Sequence, residues 1–145
     1  MNEERNERIF QDLRHGMRIT DAAHKYGLTC GTISYIKDRK IEEYRIKNTP
    51  VYHYLRKGCD DDDTARRLWI ILNRLINVDM SATNAKYYPH GDKPPVTVHD
   101  KGVRILYFLK NASLYEIRGL NGIGPKYQKI LTAAKQLIIY AYGKD

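Results

Sequence analysis

The residue types best placed to do chemistry lie near the carboxyl end, in the run Asn121, Gly122, Ile123, Gly124, Pro125 and Lys126. Gly122 and Gly124 allow a sharp backbone turn and leave no side chain to block a close approach, while Ile123 can anchor the turn in a core. Pro125 suits the first turn of a following helix, where no N–H is needed. The remaining unpaired N–H groups and the positive end of the helix dipole then make an anion site, with Lys126 and Lys129 adding charge beside it. Other candidates carry less. Asp60, Asp61, Asp62 and Asp63 could offer carboxylates to a divalent cation, but consecutive residues point in different directions and read better as acids at a helix start. His90, His99 and Asp100 lack the i, i+4 spacing of a helical metal site, and Cys30 and Cys59 are too few for a disulfide framework or a four-cysteine zinc site. No Walker sequence, nucleophile elbow or convincing pair of catalytic carboxylates is present. The expectation is therefore a protein that is not an enzyme, with no cofactor and no metal.

Such residues have to be positioned, and the hydropathy pattern supplies helices to do it. Ile9, Phe10 and Leu13 fall at i, i+1 and i+4, which predicts a helix over residues 2–15 ended by Gly16. A second helix is expected after Thr20 as its cap, with Asp21 at its positive end and Gly27 as its stop. Leu28 bridges to Thr29, a further cap, and a third helix is expected through Ile33 and Ile36 to about Lys40. Pro50 opens a short helix closed by Gly58. The run from Leu68 to Ile76 is apolar on nearly every face, so that helix must be buried, Trp69 included. Residues 79–100 contain three prolines and read as a loop or linker. Val103 to Leu109 is a second buried run, and Ser113 and Glu116 have the spacing of a capping box. In the last helix Ile130, Leu131, Ala134, Leu137 and Ile138 make one stripe of a 3.6-residue period. The chain reads as all-α.

The 145 residues are 42% hydrophobic and 29% charged, an ordinary composition for one medium domain or two small ones. No apolar run reaches the ~20 residues a membrane-spanning helix needs, and the amino terminus is too polar for a signal peptide, so a soluble, cytoplasmic protein is expected and no membrane partner. Lys and Arg exceed Asp and Glu by eight, and the excess is uneven: residues 1–48 carry ten basic and eight acidic groups, residues 101–145 eight and two. A polyanionic partner would suit that end, though a basic solvated face is an equally ordinary use of the same charge. Tyr87, Tyr88, Tyr115 and Tyr127 could stack on bases, but core and interface packing is the commoner use.

A helix that enters the DNA major groove must be held across another by a short turn with a small residue at the crossing. Ala22 and Ala23 are small at the approach, Gly27 permits the turn, and Tyr26, Leu28, Ile33 and Ile36 supply inward contacts. With the caps at Thr20 and Thr29, the stretch from Arg8 to Lys40 resembles the helix-turn-helix of site-specific recombinases, transposases and small bacterial or phage regulators. That resemblance implies that Thr29, Cys30, Thr32, Ser34 and Tyr35 face base edges, with Lys37, Arg39 and Lys40 nearer phosphates. Short hydroxyl side chains read bases with modest discrimination, and no Arg projects from the first turns, so one such module is expected to bind weakly.

The carboxyl-terminal run, from Ser113 to Leu137, looks like a helix-hairpin-helix, a motif of DNA repair and recombination proteins, and is similar to the hairpin in the carboxyl-terminal domain of the bacterial RNA polymerase alpha subunit. It implies phosphate contacts at Gly122, Gly124, Lys126 and Lys129 without sequence reading. The expected organisation is a helix-turn-helix unit over 1–48, a middle helical segment over 49–78 with the Trp69 helix as a candidate homodimer contact, a linker over 79–100 and a helix-hairpin-helix unit over 101–145. Together the resemblances imply a protein binding double-stranded DNA, a bacterial or phage transcription regulator lying in the cytoplasm, on the nucleoid or in the host cell. The alternatives are a DNA-packaging protein of small-terminase type, a recombination accessory protein, or an adaptor docking on RNA polymerase.

Overall fold

Every element of the chain is helical in a computed structural model that describes residues 2–78 and 97–143; no strand occurs among those residues. The helices are α1 (Glu3–Arg14), α2 (Ile19–Tyr26), α3 (Cys30–Lys47), α4 (Pro50–Lys57), α5 (Asp62–Asn73), α6 (Val98–Asn111), α7 (Leu114–Arg118) and α8 (Pro125–Tyr142), with a π-helical turn, Arg74–Val78, directly after α5. The chain divides into two units, residues 1–44 and residues 45–145. The protein is all-α, as its periodicity indicates.

The first unit has a small core of Ile9, Ala22, Ala23, Ile33 and Ile36, edged by Leu13, Met17, Ile19, Tyr26 and Leu28. Polar contacts supplement it. Lys40 on α3 is only 8% exposed, and its Nζ lies 3.3 Å from carboxylates of Glu3 and Glu7 on α1 and of Glu43 on its own helix. Burial alone would pull this ammonium down, but the three carboxylates outweigh it and hold its pKa above the ordinary lysine value. Tyr44 donates to Glu7 at 2.7 Å and stacks on Phe10, while Asp12 receives both the Tyr26 hydroxyl and Lys25.

Two element boundaries differ from expectation. Thr20 does not cap α2: the helix begins one residue earlier, at Ile19, and its extended flanking residue is Arg18, whose side chain reaches Asp21 at 3.2 Å. The third helix does not stop near Lys40 but runs on to Lys47, because no glycine or proline interrupts it and Glu43, Tyr44 and Ile46 all find partners. It ends where Pro50 forces Thr49 into an extended conformation, ψ 141°.

The second unit has one continuous core. Val51, Tyr52 and Leu55 of α4 and Leu68, Trp69 and Leu72 of α5 pack with Ile105, Phe108 and Leu109 of α6, Ile117 of α7, and Leu131 and Ile138 of α8. Each large apolar side chain buried there contributes roughly 1.5–3 kcal/mol. The indole N–H of Trp69 donates to Thr49 Oγ1 at 3.1 Å, and that hydroxyl donates to the Ile46 carbonyl. Gly102 on α6 is required here, since a Cβ would lie 2.6 Å from the Thr49 methyl.

This core corrects the expected division of the chain. Residues 49–78 are not a separate segment, and no boundary between units falls within 79–100; the middle helices share their core with the carboxyl-terminal ones. Part of the expected linker is helix, because Thr97 accepts from Asp100 N–H at 3.1 Å and starts α6 at Val98; the rest of it lies outside the described residues. Trp69 is 2% exposed within its own unit, so it is not available to a second copy.

Candidate nucleic-acid interface

The carboxyl-terminal hairpin is built from local rules. Ser113 and Glu116 exchange side-chain-to-backbone bonds at 3.1 and 3.2 Å, the capping box that starts α7. After α7, the Leu120 N–H returns to the Ile117 carbonyl at 3.2 Å and the chain bends at Gly122, φ +80°, a left-handed conformation that favours glycine. Ile123 turns inward and is buried in the second core. Gly124 then flanks α8 in an extended conformation, with Pro125 at the first helical position. Gln128 donates to the Ile123 carbonyl at 3.2 Å and fixes the bend to the helix.

The outer side of this bend is open among the described residues: a Cβ at Gly122 or at Gly124 would meet none of their atoms within 4 Å, chain neighbours aside. The first turn of α8 presents amide N–H groups that have no partner within the helix. Beside it runs an open groove of about 960 Å³ lined by Arg118, Lys126, Lys129, Gln128, Thr132 and Gln136, among others, with no carboxylate among the described residues that line it. Three cations therefore converge on one concave surface. The acid of α5 that feels Lys126 is Asp61, and its carboxyl is held below its ordinary range chiefly by bonds from Thr64 and only weakly by that lysine. The hairpin residues expected from sequence, Gly122, Gly124, Lys126 and Lys129, thus come together and are exposed. Arg118 joins them without having been singled out. Its signal was available: it is the last residue of the helix that enters the hairpin.

The amino-terminal set comes together only in part. Gly27 ends α2 at φ 66°, ψ 34°, and the Leu28 N–H returns to the Ala23 carbonyl at 2.9 Å, so α2 and α3 are joined by three residues. Thr29 accepts from the Thr32 N–H at 3.1 Å, as a cap should. With Ile33 and Ile36 in the core, Thr29, Cys30 and Tyr35 are exposed and Thr32 and Ser34 half-buried. Arg39 lies over the Tyr35 ring, 5.5 Å from its centroid, and donates to its hydroxyl at 2.8 Å. Thr32, Tyr35 and Arg39 thus form one strip along the helix. Asp38 and Glu42 are exposed close to it, so its charge is mixed.

Two of the expected phosphate contacts belong elsewhere. Lys40 is enclosed by its three glutamates and does not reach the surface set, which is a correction of the sequence reading. Lys37 stands about 160° around α3 from Tyr35, given 3.6 residues per turn. It lines a different groove, with Phe10, Leu13, Met17, Ile19 and Ile41.

The weaker candidates are accounted for. Asp61 caps α5 through Thr64, Asp62 receives Tyr52 and Arg56, and Asp63 pairs with Arg66 and Arg67. Among the described residues no group of three or more His, Cys, Asp or Glu could hold a metal ion. His99 and Asp100 sit exposed in the first turn of α6; Tyr87, Tyr88 and His90 lie outside the described residues. Tyr115 is 85% exposed and Tyr127 packs against the core. No helix among the described residues is long and apolar enough to cross a membrane. Comparison with protein-family models, with curated proteins and with solved structures returns no match to this chain.

Proposed function

We propose that the protein binds double-stranded DNA without catalysing a reaction on it, gripping phosphates with the α7–α8 hairpin and reading bases, weakly, with the first turns of α3. The observation that carries this reading is the groove where Arg118, Lys126 and Lys129 meet an open glycine bend and the amide end of an 18-residue helix, with no carboxylate among the described lining residues. Backbone amides and a helix dipole favour an anion, and three unneutralised side chains favour a polyanion over a single small one. The exposed hydroxyl strip on α3 adds some sequence preference, and two weak contacts carried by one chain raise each other's effective concentration. A role in transcription regulation is the use we favour for such a combination.

The test is a gel-shift series on a duplex against salt. The logarithm of affinity should fall linearly with the logarithm of salt, by about 0.9 for each phosphate neutralised. Joint Lys126→Ala and Lys129→Ala substitution should flatten the slope by close to two such steps on every sequence alike. No retention of duplex even at the lowest salt would end the proposal. A packaging or recombination role, the rival reading, would show instead as a ring of many subunits in light scattering.

A further inference from the structure

On the first unit, α1, the start of α2 and the flank of α3 enclose a groove of about 550 Å³ that the DNA reading does not use. Its walls are apolar: Leu13, Met17, Ile19 and Ile41 are each half-buried, so part of each side chain still faces solvent, around the ring of Phe10. Its rim is cationic. Arg14, Arg18 and Lys37 stand around it and no carboxylate is among the described lining residues; Arg18 pairs with Asp21 at 3.2 Å, while Arg14 lies over the Phe10 ring. Elsewhere in this unit Arg8 is matched with Glu4 and Lys25 with Asp12, while Arg39 donates to Tyr35. Apolar walls under an acid-free basic rim are complementary to one kind of ligand, a chain that alternates apolar side chains with carboxylates.

We infer that this groove docks an acidic amphipathic segment of a partner protein, its apolar side chains seated between Leu13, Met17, Ile19 and Ile41 and its carboxylates on Arg14 and Lys37. The position of Lys37 explains why the site is separate from the base-facing strip: the two lie on nearly opposite sides of α3. A partner segment and a duplex can therefore each take their own side of the helix. The inference stands on the groove itself and holds whether or not the hairpin binds phosphates.

The probe is a twelve-residue synthetic peptide of Leu, Phe and Glu in amphipathic order, titrated into the full chain and followed by the NMR signals of the Leu13, Met17, Ile19 and Ile41 methyls. Saturable shifts confined to these methyls are expected. The double variant Arg14→Glu, Lys37→Glu should weaken the peptide about tenfold, as two rim charges would. Ala22 and Ala23 methyl signals report that the variant's core is intact, and Leu13→Ser, whose side chain is half-buried, gives a second variant should that one misfold. The proposal is overturned if the peptide leaves the methyls unmoved at millimolar concentration, if a Lys-for-Glu version binds as well, or if a 20-base-pair duplex shifts the same methyls and competes with the peptide.

Discussion

The second unit carries about twice the cations of the first, seventeen against eight, and the two use them differently. In residues 1–44 the lysines and arginines are mostly spent on holding helices: Lys40 gathers three glutamates, Lys25 clips α2 to α1 through Asp12, and Arg18 closes the start of α2. That unit buries only six apolar residues, two of them alanines, so polar ties stand in for a larger core. In residues 45–145 a core containing Trp69 and Phe108 secures the fold, and Arg118, Lys126 and Lys129 are left to face a groove. In the first unit bases and acids balance, eight of each; in the second Lys47, Arg56, Arg66 and Arg67 are also matched, with Asp62 and Asp63, so what sets it apart is the hairpin groove, whose described lining holds three cations and no carboxylate.

Core truncation tests this contrast with the largest effect. Phe108→Ala should destabilise the second unit by about 3–5 kcal/mol, measured as a lower urea midpoint. Amide exchange should show the loss in α4 to α8 and leave α2 protected. Ile33→Ala should do the reverse, and because its core is so small the first unit should lose most of its protection. Equal loss in both units from either variant would show that they unfold as one. Next comes Lys40→Met, expected to cost about 1–2 kcal/mol, below the full penalty for breaking a buried pair because Glu3 and Glu7 keep much of their access to water.

Acid should separate the units further. Glu7 is held below its ordinary value of 4.5, first by the Gln11 side chain and then by Tyr44 and Lys40 against its own burial. Asp12 is held below 3.8, first by the Tyr26 hydroxyl and then by Lys25. A carboxyl depressed in the folded state contributes stability that is present above its unfolded pKa and is lost as pH falls through the folded one. The first unit should therefore weaken progressively below about pH 4.5, seen as loss of the Ala22 and Ala23 methyl dispersion. The second unit has its own depressed carboxyls, Asp61 and Asp62, but their ordinary value is 3.8 and its core is larger, so the Phe108 ring signals should persist to lower pH. On the alkaline side Lys40, raised in the folded state, keeps its contribution until pH climbs past 10.5.

How much of this was written legibly in the chain depends on the range of the interaction. The capping box at Ser113, the left-handed stop at Gly27, the sharp turn at Gly122 and the Thr29 cap all follow from residues within a few positions of one another, and all are found. The length of α3 was legible only in part: residues 41–47 hold no glycine or proline, but what secures them as helix, the bond of Tyr44 to Glu7, 37 residues away, and the burial of Ile46 in the second core, is not local. Contacts of similar range, to Glu3 and Glu7, explain why Lys40 could be mistaken for a surface cation. The common core of the middle and carboxyl-terminal helices was hidden for a related reason: prolines mark a break in the chain, not a break in packing. Arg118 was in plain view, but its place in the groove depends on how α7 lies beside α8.

The hairpin glycines give the finest test, since their two demands point apart. Gly122 has a positive φ and empty space outside it, so Gly122→Ala strains the backbone and should cost about 1 kcal/mol of stability regardless of any ligand. Gly124 has an ordinary extended conformation, φ −82°, ψ 178°, and equally empty surroundings, so the fold has no need of a glycine there. Gly124→Asp should improve the start of α8: a carboxylate at this position accepts from the first-turn amides and suits the dipole, for a gain of a few tenths of a kcal/mol. The same carboxylate would occupy the space through which a phosphate must approach, and should lower duplex affinity about tenfold or more by repulsion. Thermal melting and the gel-shift series together read both effects. A variant that melts higher and binds worse is the signature of a glycine kept for a ligand, whereas unchanged affinity would mean that the bend serves only to connect two helices.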